Sequence, residues 1–376
     1  MSGTMAIRIG AVGFGHWFNR LYVGIEKTNG RIVLAKVLGV GGIENKIERM
    51  RAIGLGEEHY YRLEPRKPIP DEFFDGIDVV HISDPNEYHA EQTKQSLAKG
   101  KITITEKTWG VTKREFDDVV SYIEDNGMQK KAYLHLHYLK KTLTKNLPNM
   151  LDEYVPRYGK IKDVAATFFE SVTADDIKRK GWLFSSQSGG LFMDWIHPYE
   201  IISAGAGASG MRLADVRLYI VNPDYDTDNP TGIEARVALS GRNFSPGASA
   251  AIRVAKGAKT LKKAVRLNFE SGAYLVLNYI GAEIEFTSKS RGSWQLFSSE
   301  NKMIDSGEPT GPNASELLAA DIIRLHNGEA VGIGISEAKR IYAPQWEYQE
   351  MAKERSLISD AAQVELFCDA ALRLEA

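Results

Sequence analysis

The sequence predicts an α/β domain built on a doubly wound parallel sheet, followed by an α+β domain with an open, mostly antiparallel sheet. Two observations support this prediction. In residues 1–137, short apolar segments alternate with helical segments, which is typical of βαβ units. In residues 138–376, closely spaced strand-like segments follow one another with no convincing helix between them, and the tail returns to helix. We therefore expect two domains with these ranges, and C-terminal helices that can pack back on the first domain.

The elements of the first domain follow from its apolar segments. The segment Ile32–Val40 is rich in Val and Leu and is apolar on both faces, as a central parallel strand should be. The predicted strands are Ala6–Val12, Ile32–Val40, Asp78–Ser83, Lys101–Thr105 and Ala132–His137. The predicted helices between them are Trp17–Glu26, Glu44–Ala52, Glu87–Lys99 and Thr112–Asn126.

The second domain is predicted to be mostly strand. One helix is expected to carry both Asp194 and His197, and the tail from Asn313 is expected to be helical. The basic run Lys256–Lys263 is interpreted as a solvated hairpin, and the aromatic stretch Tyr342–Tyr348 as the packing face of a helix. The predicted strands are Lys160–Glu170, Leu213–Val221, Gly232–Ser240, Ala248–Val254, Ala264–Phe269, Ala273–Tyr279 and Ala282–Thr287.

Composition excludes several classes of protein. The 376 residues are 43% hydrophobic and 26% charged, with a formal net charge of −2, which gives no reason to expect a nucleic acid or an anionic membrane as partner. The single cysteine, Cys368, excludes an intrachain disulfide and fits a reducing compartment. No apolar run is long enough to span a bilayer, and the N-terminus lacks a signal pattern. These features together predict a cytoplasmic protein. His135 and His137 have no third metal ligand at a suggestive spacing, so we expect no metal site.

A glycine turn at the end of the first predicted strand is typical of dinucleotide-binding domains. Gly13 and Gly15 permit a tight turn and a close approach of a pyrophosphate, and the following helix N-terminus supplies amide donors. Phe18 stands where the third glycine of the motif usually lies, which suggests a wider helix–strand crossing. The motif alone is weak, and a glycine turn without a ligand is the competing interpretation.

The end of the second predicted strand leaves the choice between NAD and NADP open. An Asp or Glu usually stands there and binds the ribose hydroxyls of NAD. Here the residues after Val40 are Gly41, Gly42 and Ile43, with no carboxylate before Glu44. The missing acid removes a repulsion against a 2′-phosphate, so the sequence leans slightly toward NADP, although no Arg follows the turn at once.

Several segments in a fixed order identify a resemblance to a known family. Val79–His89 resembles an "(A/S)-T-P-N-x-x-H" segment, and Gln92–Lys101 resembles a "Q-x-x-x-A-L-x-x-G-K" helix. Glu106 and Lys107 resemble the start of "E-K-P", and Gly189-Gly190, Asp194 and His197 follow in the same order. The whole chain is similar to the glucose–fructose oxidoreductase, inositol dehydrogenase and MocA family. The resemblance implies a Rossmann domain followed by an open-sheet domain.

The resemblance also implies site residues. Lys107 would contact both cofactor and substrate, and Asp194 and His197 would complete the catalytic set. The cofactor contacts are expected at the glycine turn, the "T-P-N" turn, the "E-K-P" segment and the region before Gly189. These residues are Gly13, Phe14, Gly15, His16, Ser83, Asp84, Pro85, Asn86, His89, Glu106 and Lys107. Trp182 is added because it precedes the Gly189-Gly190 loop, where it either covers the cofactor or anchors the loop in the core.

The sequence departs from the family pattern near these residues. Thr108 replaces the proline of "E-K-P", and Asp84 replaces the threonine of "T-P-N". The interval from Asp194 to His197 is three residues, where four is common in the family, although both spacings place the two side chains on one helix face. These changes leave the substrate less certain than the cofactor.

The expected chemistry is the transfer of a hydride between nicotinamide and a sugar, a polyol or a related hydroxy or oxo compound. His197 is the first candidate for the proton acceptor, because an imidazole titrates near pH ~6.5, and Lys107 is the alternative. Otherwise Lys107 would stabilise the charge on the reacting oxygen, and Asp194 would orient the substrate or keep Lys107 cationic. A non-catalytic NAD(P)-binding sensor and an NAD-assisted glycosidase are the competing functions. A homodimer or homotetramer through the second-domain sheet is expected.

Overall fold

The structure is a computed structural model of the chain, and it describes residues 5–64, 67–172, 185–221, 230–280, 292–329 and 333–372. The chain divides into two compact units. Unit 1 comprises residues 1–137 and 314–339, and unit 2 comprises residues 138–313 and 340–376. Within the described ranges, no helix is long and apolar enough to cross a membrane.

The described residues include nine α-helices, numbered here in chain order. They are α1 His16–Glu26, α2 Ile47–Ala52, α3 His89–Ala98, α4 Lys113–Asp125, α5 Thr142–Tyr158, α6 Ile196–Glu200, α7 Ala314–His326, α8 Ile335–Lys353 and α9 Ala361–Leu372. The strands of unit 1 are β1 Ile7–Val12, β2 Ile32–Val40, β3 Tyr60–Leu63, β4 Val79–Ile82, β5 Ile102–Glu106 and β6 Ala132–His135. The strands of unit 2 are β7 Ile161–Glu170, β8 Gly210–Tyr219, β9 Gly232–Ser240, β10 Phe244–Lys256, β11 Lys262–Phe269, β12 Tyr274–Asn278, β13 Ser293–Phe297, β14 Met303–Gly307 and β15 Leu357–Ile358.

Unit 1 contains a six-stranded parallel sheet in the order β3-β2-β1-β4-β5-β6. This is the strand order of a Rossmann sheet, so the predicted fold class is confirmed for this unit. The order reverses between β1 and β4, and ligands of such sheets bind outside the carboxyl ends of the strands at that point. The glycine turn follows β1, and the turn Ser83–Asn86 follows β4, so both lie at the reversal.

One face of this sheet is covered by α1 together with α7 from the far end of the chain. Phe18 and Leu21 of α1 share a buried apolar cluster with Leu318 and Ile322 of α7. The two helices meet at Gly24, where an added Cβ would overlap the backbone carbonyl of Ser315. Glycine is therefore required by close helix packing, and α7 is part of the core of unit 1.

Unit 2 contains a nine-stranded sheet in the order β14-β13-β12-β11-β7-β10-β9-β8-β15. All neighbouring strands are antiparallel except the pairs β7–β10 and β8–β15, which are parallel. This confirms the predicted open and mostly antiparallel sheet. Tyr342, Trp346 and Tyr348 of α8 are buried, which agrees with the predicted packing face.

Several sequence-based boundaries were wrong. Asp194 does not lie on a helix with His197: it follows the short 3-10 turn Gly190–Met193, and α6 begins two residues later. The reason is that the N–H groups of Asp194 and His197 donate to carbonyls three residues back, those of Leu191 and Asp194, which is 3-10 and not α-helical hydrogen bonding. His137 lies in a 3-10 turn after β6 and not on the strand with His135. The predicted strand Ala282–Thr287 falls outside the described residues.

Candidate active site

The glycine turn after β1 packs directly against the turn after β4. Gly13 has a φ of 97°, and an added Cβ would lie 2.7 Å from both the backbone N of Asp84 and the carbonyl carbon of Ser83. The Ser83 N–H donates to the Val12 carbonyl at 2.8 Å, which holds the two turns together. Positive φ and close backbone approach both require glycine at residue 13. The structure thus brings together the predicted cofactor residues Gly13, Ser83 and Asp84.

The N-terminus of α1 is open on the side of the glycine turn. Gly15 caps the helix without a side-chain hydrogen bond, the first turn carries no acidic residue, and an added Cβ at Gly15 would meet nothing within 4 Å. The first amide groups of a helix lack intrahelical partners and form its positive dipole end. This arrangement fits an anionic group such as a pyrophosphate. The His16 side chain and all of Trp182 lie outside the described residues.

Phe14 and Phe18 pack inward beneath this turn. Both side chains are buried, and their rings meet edge to face with centroids 4.7 Å apart. Arg49 of α2 covers the pair: its guanidinium lies 4.1 Å from the centroid of the Phe14 ring and donates to the carbonyls of Phe14 at 2.5 Å and Gly15 at 2.9 Å. Arg49 therefore stabilises the glycine turn. The sequence did not indicate this contact, because Arg49 is far from the turn along the chain.

Asp84 and His89 form a buried polar group behind the turn after β4. His89 Nε2 lies 2.8 Å from the Asp84 carbonyl oxygen, and His89 Nδ1 lies 3.0 Å from the Thr108 carbonyl oxygen. The Gln92 amide donates to Asp84 Oδ2 at 2.6 Å. Burial raises the pKa of Asp84 to about 7, against the smaller opposing effect of the Gln92 hydrogen bond, and burial lowers the pKa of His89. The Asp84 and His89 side chains thus connect the turn after β4 to α3. The backbone of this turn is the part that faces a ligand in this class of fold.

Glu106 lies at the end of β5 among three basic side chains. Its Oε1 is 3.6 Å from His81 Nε2 on β4 and 3.8 Å from His135 Nε2 on β6. Burial acts to raise the pKa of Glu106, but the charges of His135, His81 and Arg20 outweigh it and lower the pKa. Glu106 Oε2 is buried and has no hydrogen-bond partner among the described residues. A buried carboxylate with a spare acceptor fits a ligand hydroxyl.

Lys107 follows Glu106 directly at the carboxyl end of β5 and is half-buried. The peptide bond between Lys107 and Thr108 is cis. This end of a parallel strand is the edge at which Rossmann sheets bind their ligands. Lys107 and Glu106 therefore belong to the same edge of unit 1 as Gly13 and Ser83.

In unit 2, His197 lies between two carboxylates. Its Nε2 is 3.9 Å from Asp194 Oδ1, and its Nδ1 is 3.2 Å from Glu200 Oε1. Glu200 is fully buried, and its Oε2 accepts from the Leu139 N–H at 3.2 Å. A carboxylate at Nδ1 favours the tautomer with the proton on that nitrogen and stabilises the imidazolium. His197 Nε2 is then the atom that can accept a proton.

Lys256 is a site residue that the sequence did not indicate. Its ammonium group forms an ion pair with Asp194 Oδ2, and its side chain is only 4% exposed. Lys262 and Lys263 are also buried, and Lys263 Nζ donates to Glu170 Oε1 at 2.6 Å. The interpretation of the run Lys256–Lys263 as a solvated hairpin was therefore wrong for its two ends, because carboxylates distant in sequence compensate the buried charges.

The Tyr138 ring completes the surroundings of His197. Its centroid lies 4.5 Å from that of the imidazole, and it also packs against Phe168 of β7 at 5.1 Å. The group in unit 2 therefore combines one proton acceptor, two carboxylates and one ammonium group around a small apolar surface. Among the residues that the structure describes, no three His, Cys, Asp or Glu side chains are arranged to hold a metal ion.

Comparison with known proteins gives structural neighbours only. No protein-family model and no curated protein sequence matches the chain. The solved structures that it resembles include an aldose-aldose oxidoreductase from Caulobacter crescentus in complex with glycerol, with a TM-score of 0.72, 15% identity and coverage of 93% of this chain and 98% of that one. They also include the 3-ketoreductase KijD10 from Actinomadura kijaniata in complex with NADP and TDP-benzene, with a TM-score of 0.72, 16% identity and coverage of 94% and 99%.

A third neighbour is the UDP-N-acetylglucosamine 3-dehydrogenase GnnA from Acidithiobacillus ferrooxidans, with a TM-score of 0.64, 15% identity and coverage of 92% of this chain and 97% of that one. The alignments span nearly the full length of each chain, so both units belong to the shared fold. At this level of identity the likeness establishes the two-unit fold and does not establish the reaction.

Proposed function

We propose that the protein is an NAD(P)-dependent oxidoreductase that transfers a hydride between nicotinamide and a sugar, a polyol or a related hydroxy or oxo compound. The observation that carries this proposal is the group in unit 2 formed by the buried His197 and Glu200 with the half-buried Asp194. A Rossmann fold alone does not specify a reaction, whereas a histidine that a buried carboxylate holds in one orientation is positioned to accept a proton. The names of the three structural neighbours, which act on aldoses, a 3-keto compound and a nucleotide sugar, support the substrate class.

The residues of unit 1 fit a nicotinamide dinucleotide. Gly13, Gly15 and the first amides of α1 would hold the pyrophosphate, since this end of the helix is open and carries no acidic residue. The turn from Ser83 to Asn86 and the spare acceptor of Glu106 would hold the nicotinamide ribose. When bound, the nicotinamide supplies the carbon that accepts or returns a hydride.

Side chains of this chain are assigned the proton transfer, the stabilisation of charge and the binding of a substrate hydroxyl. We assign to His197 Nε2 the uptake of the hydroxyl proton, and to Glu200 the stabilisation of the imidazolium that results. We assign to the Lys107 ammonium the stabilisation of negative charge on the reacting oxygen. Asp194 is held by Lys256 and offers Oδ1 as an acceptor for a substrate hydroxyl. Lys107 as the proton acceptor is the alternative assignment.

Substitution of Lys107 tests the proposal. Lys107→Ala should lower turnover by at least about 100-fold, because an electrostatic donor to the reacting oxygen is worth about 3 kcal/mol, while NADH or NADPH binding is largely kept. The matched control is Lys101→Ala, which removes a lysine at the opposite end of the same strand, where its Nζ donates to the Ile77 carbonyl. Cofactor binding is followed by nicotinamide fluorescence, and turnover by absorbance in a screen of sugars and polyols. Unchanged turnover in Lys107→Ala would contradict the assignment.

The setting of the reaction is part of the same proposal. We propose a cytoplasmic enzyme that forms a homodimer or homotetramer through the sheet of unit 2, and that uses a small sugar or polyol as its substrate. A broad open sheet needs a covering surface, and a second copy of the chain can provide it. Sedimentation of the purified protein measures the oligomeric state directly.

A further inference from the structure

Four buried polar groups of unit 2 have no hydrogen-bond partner among the described residues. They are the indole Nε1 of Trp195, the hydroxyls of Tyr199 and Tyr348, and the amide oxygen Oε1 of Gln345. All four residues are at most 1% exposed, so bulk solvent does not reach these atoms. A buried polar group without a partner is strongly unfavourable, and in folded proteins such groups are almost always satisfied by the protein or by ordered water.

The four residues belong to two neighbouring helical segments. Trp195 directly precedes α6 and Tyr199 lies on α6, while Gln345 and Tyr348 are three residues apart on one face of α8. The Trp195 ring stacks on the Tyr348 ring with centroids 4.8 Å apart, and its centroid lies 5.3 Å from that of Tyr199. The Gln345 amide N–H group donates to the Phe192 carbonyl, which connects α8 to the 3-10 turn before Trp195.

The polar ends of the three rings lie close together. Burial raises the pKa of Tyr199, and the Trp195 N–H acts in the opposite direction, so this N–H is near the Tyr199 hydroxyl. Burial also raises the pKa of Tyr348, and the charge of Tyr199 raises it further, so the two hydroxyls are near each other. None of these atoms, however, meets the geometry of a direct hydrogen bond. The groups are therefore near enough to share a partner and are not placed to satisfy one another.

The chemistry of the four groups defines the partner that they can share. The indole N–H only donates, the Gln345 Oε1 only accepts, and each hydroxyl can do both. A simple anion has no hydrogen to give to the amide oxygen, and a metal cation cannot accept from the indole N–H. A molecule that both donates and accepts fits all four groups, and the closed surroundings admit only a small one. Water has these properties, and a buried water molecule typically forms about three hydrogen bonds.

We propose that these four groups form an internal binding site for water, which joins α6 to α8 through bridging hydrogen bonds. The bound water takes the place of the direct hydrogen bonds that the four groups do not make. Since α6 also carries His197, the site stabilises the attachment of the helix that holds this histidine.

Removal of single hydroxyls tests the site through the sign of the change in stability. Tyr348→Phe and Tyr199→Phe each delete one hydroxyl and keep the ring. A hydroxyl that is bonded to water contributes a hydrogen bond, so in each variant the equilibrium constant for unfolding in urea should rise about fivefold. An unpaired hydroxyl gives the opposite sign, because its removal relieves the cost of a buried polar group. Tyr279→Phe is the matched control, since the equally buried Tyr279 hydroxyl lies 3.0 Å from Thr144 Oγ1 and its loss should destabilise the protein.

A crystal structure of the full chain, at a resolution that shows ordered water, is the second measurement. We expect an electron-density peak within hydrogen-bond distance of at least three of the four groups. Two results would overturn the proposal. One is that Tyr348→Phe and Tyr199→Phe are both more stable than the wild-type protein while Tyr279→Phe is less stable. The other is direct hydrogen bonding among the four groups with no density between them. Either result leaves the proposed function standing, because that function does not depend on this site.

Discussion

Replacement of Asp84 by Asn should remove a pH-dependent loss of stability from unit 1. The Asp84 side chain is only 2% exposed, and its Oδ1 lies 3.6 Å from His89 Nε2. If both groups were charged, this distance would favour an ion pair. Burial dominates instead, because it raises the pKa of Asp84 to about 7 and lowers the pKa of His89, and so favours the neutral form of both groups in the folded protein.

The sign of the effect follows from the two protonation states. Between the ordinary pKa of 3.8 and the folded value of about 7, the unfolded chain has lost the Asp84 proton and the folded chain keeps it. The free energy of unfolding therefore falls as pH rises through this window, and the whole penalty is present above pH ~7. The interval corresponds to about 4 kcal/mol at most, and about 3 kcal/mol of it develops between pH 5 and pH 8. Asn keeps the shape and has no proton to lose.

The assay is urea denaturation of the wild-type protein and of Asp84→Asn between pH 5 and pH 8, without cofactor. The variant should be the more stable protein at pH 8, and its advantage should shrink by about 3 kcal/mol toward pH 5. Glu91→Gln, which removes an 81% exposed carboxylate from the adjacent helix α3, should leave the profile unchanged. A difference between wild type and Asp84→Asn that is independent of pH would refute the argument that burial holds Asp84 neutral.

Two further predictions concern packing and buried charge. Gly24→Ala should destabilise unit 1 by about 1–3 kcal/mol in thermal or urea unfolding. The reason is that the new Cβ meets the Ser315 backbone, and this overlap outweighs the gain in helix propensity. A stabilised variant would show that α1 and α7 can separate at no cost in free energy. Lys256→Met should destabilise unit 2 by about 3 kcal/mol, because it removes the ammonium group that forms an ion pair with the half-buried Asp194 carboxylate, and adding Asp194→Asn should recover most of the loss. Lys113→Met, which breaks an exposed ion pair with Asp117 on α4, should cost less than about 0.5 kcal/mol, and equal losses at the two sites would contradict the burial argument.

The strands of unit 1 were predictable because each one is a short apolar segment with a helix after it. β2 and β5 lie almost where the pattern places them. β3 was missed because Tyr60–Leu63 has only four residues, of which one is buried and one is exposed, so it carries no periodic signal. In unit 2, β14 was missed for the same reason, since Met303–Gly307 is exposed along nearly its whole length.

The site was only partly predictable because several of its residues depend on contacts between distant segments. The sequence places Asp194 and His197 three residues apart, so their proximity follows from the chain itself. Lys256 was interpreted as a solvent-exposed charge because nothing near it in sequence announces Asp194 as its partner.

The return of α7 to unit 1 affects the order in which the protein can be completed during synthesis. The six strands of this unit are translated first, and domains generally begin to fold from the N-terminus as the chain emerges. However, Leu318, Ala319 and Ile322 of α7 belong to the same buried cluster as Phe18 and Leu21 of α1. The part of this apolar cluster that α7 covers therefore stays open until the whole of residues 138–313 has been made. A premature stop in that interval leaves the fold of unit 1 unfinished, although every one of its strands has been translated.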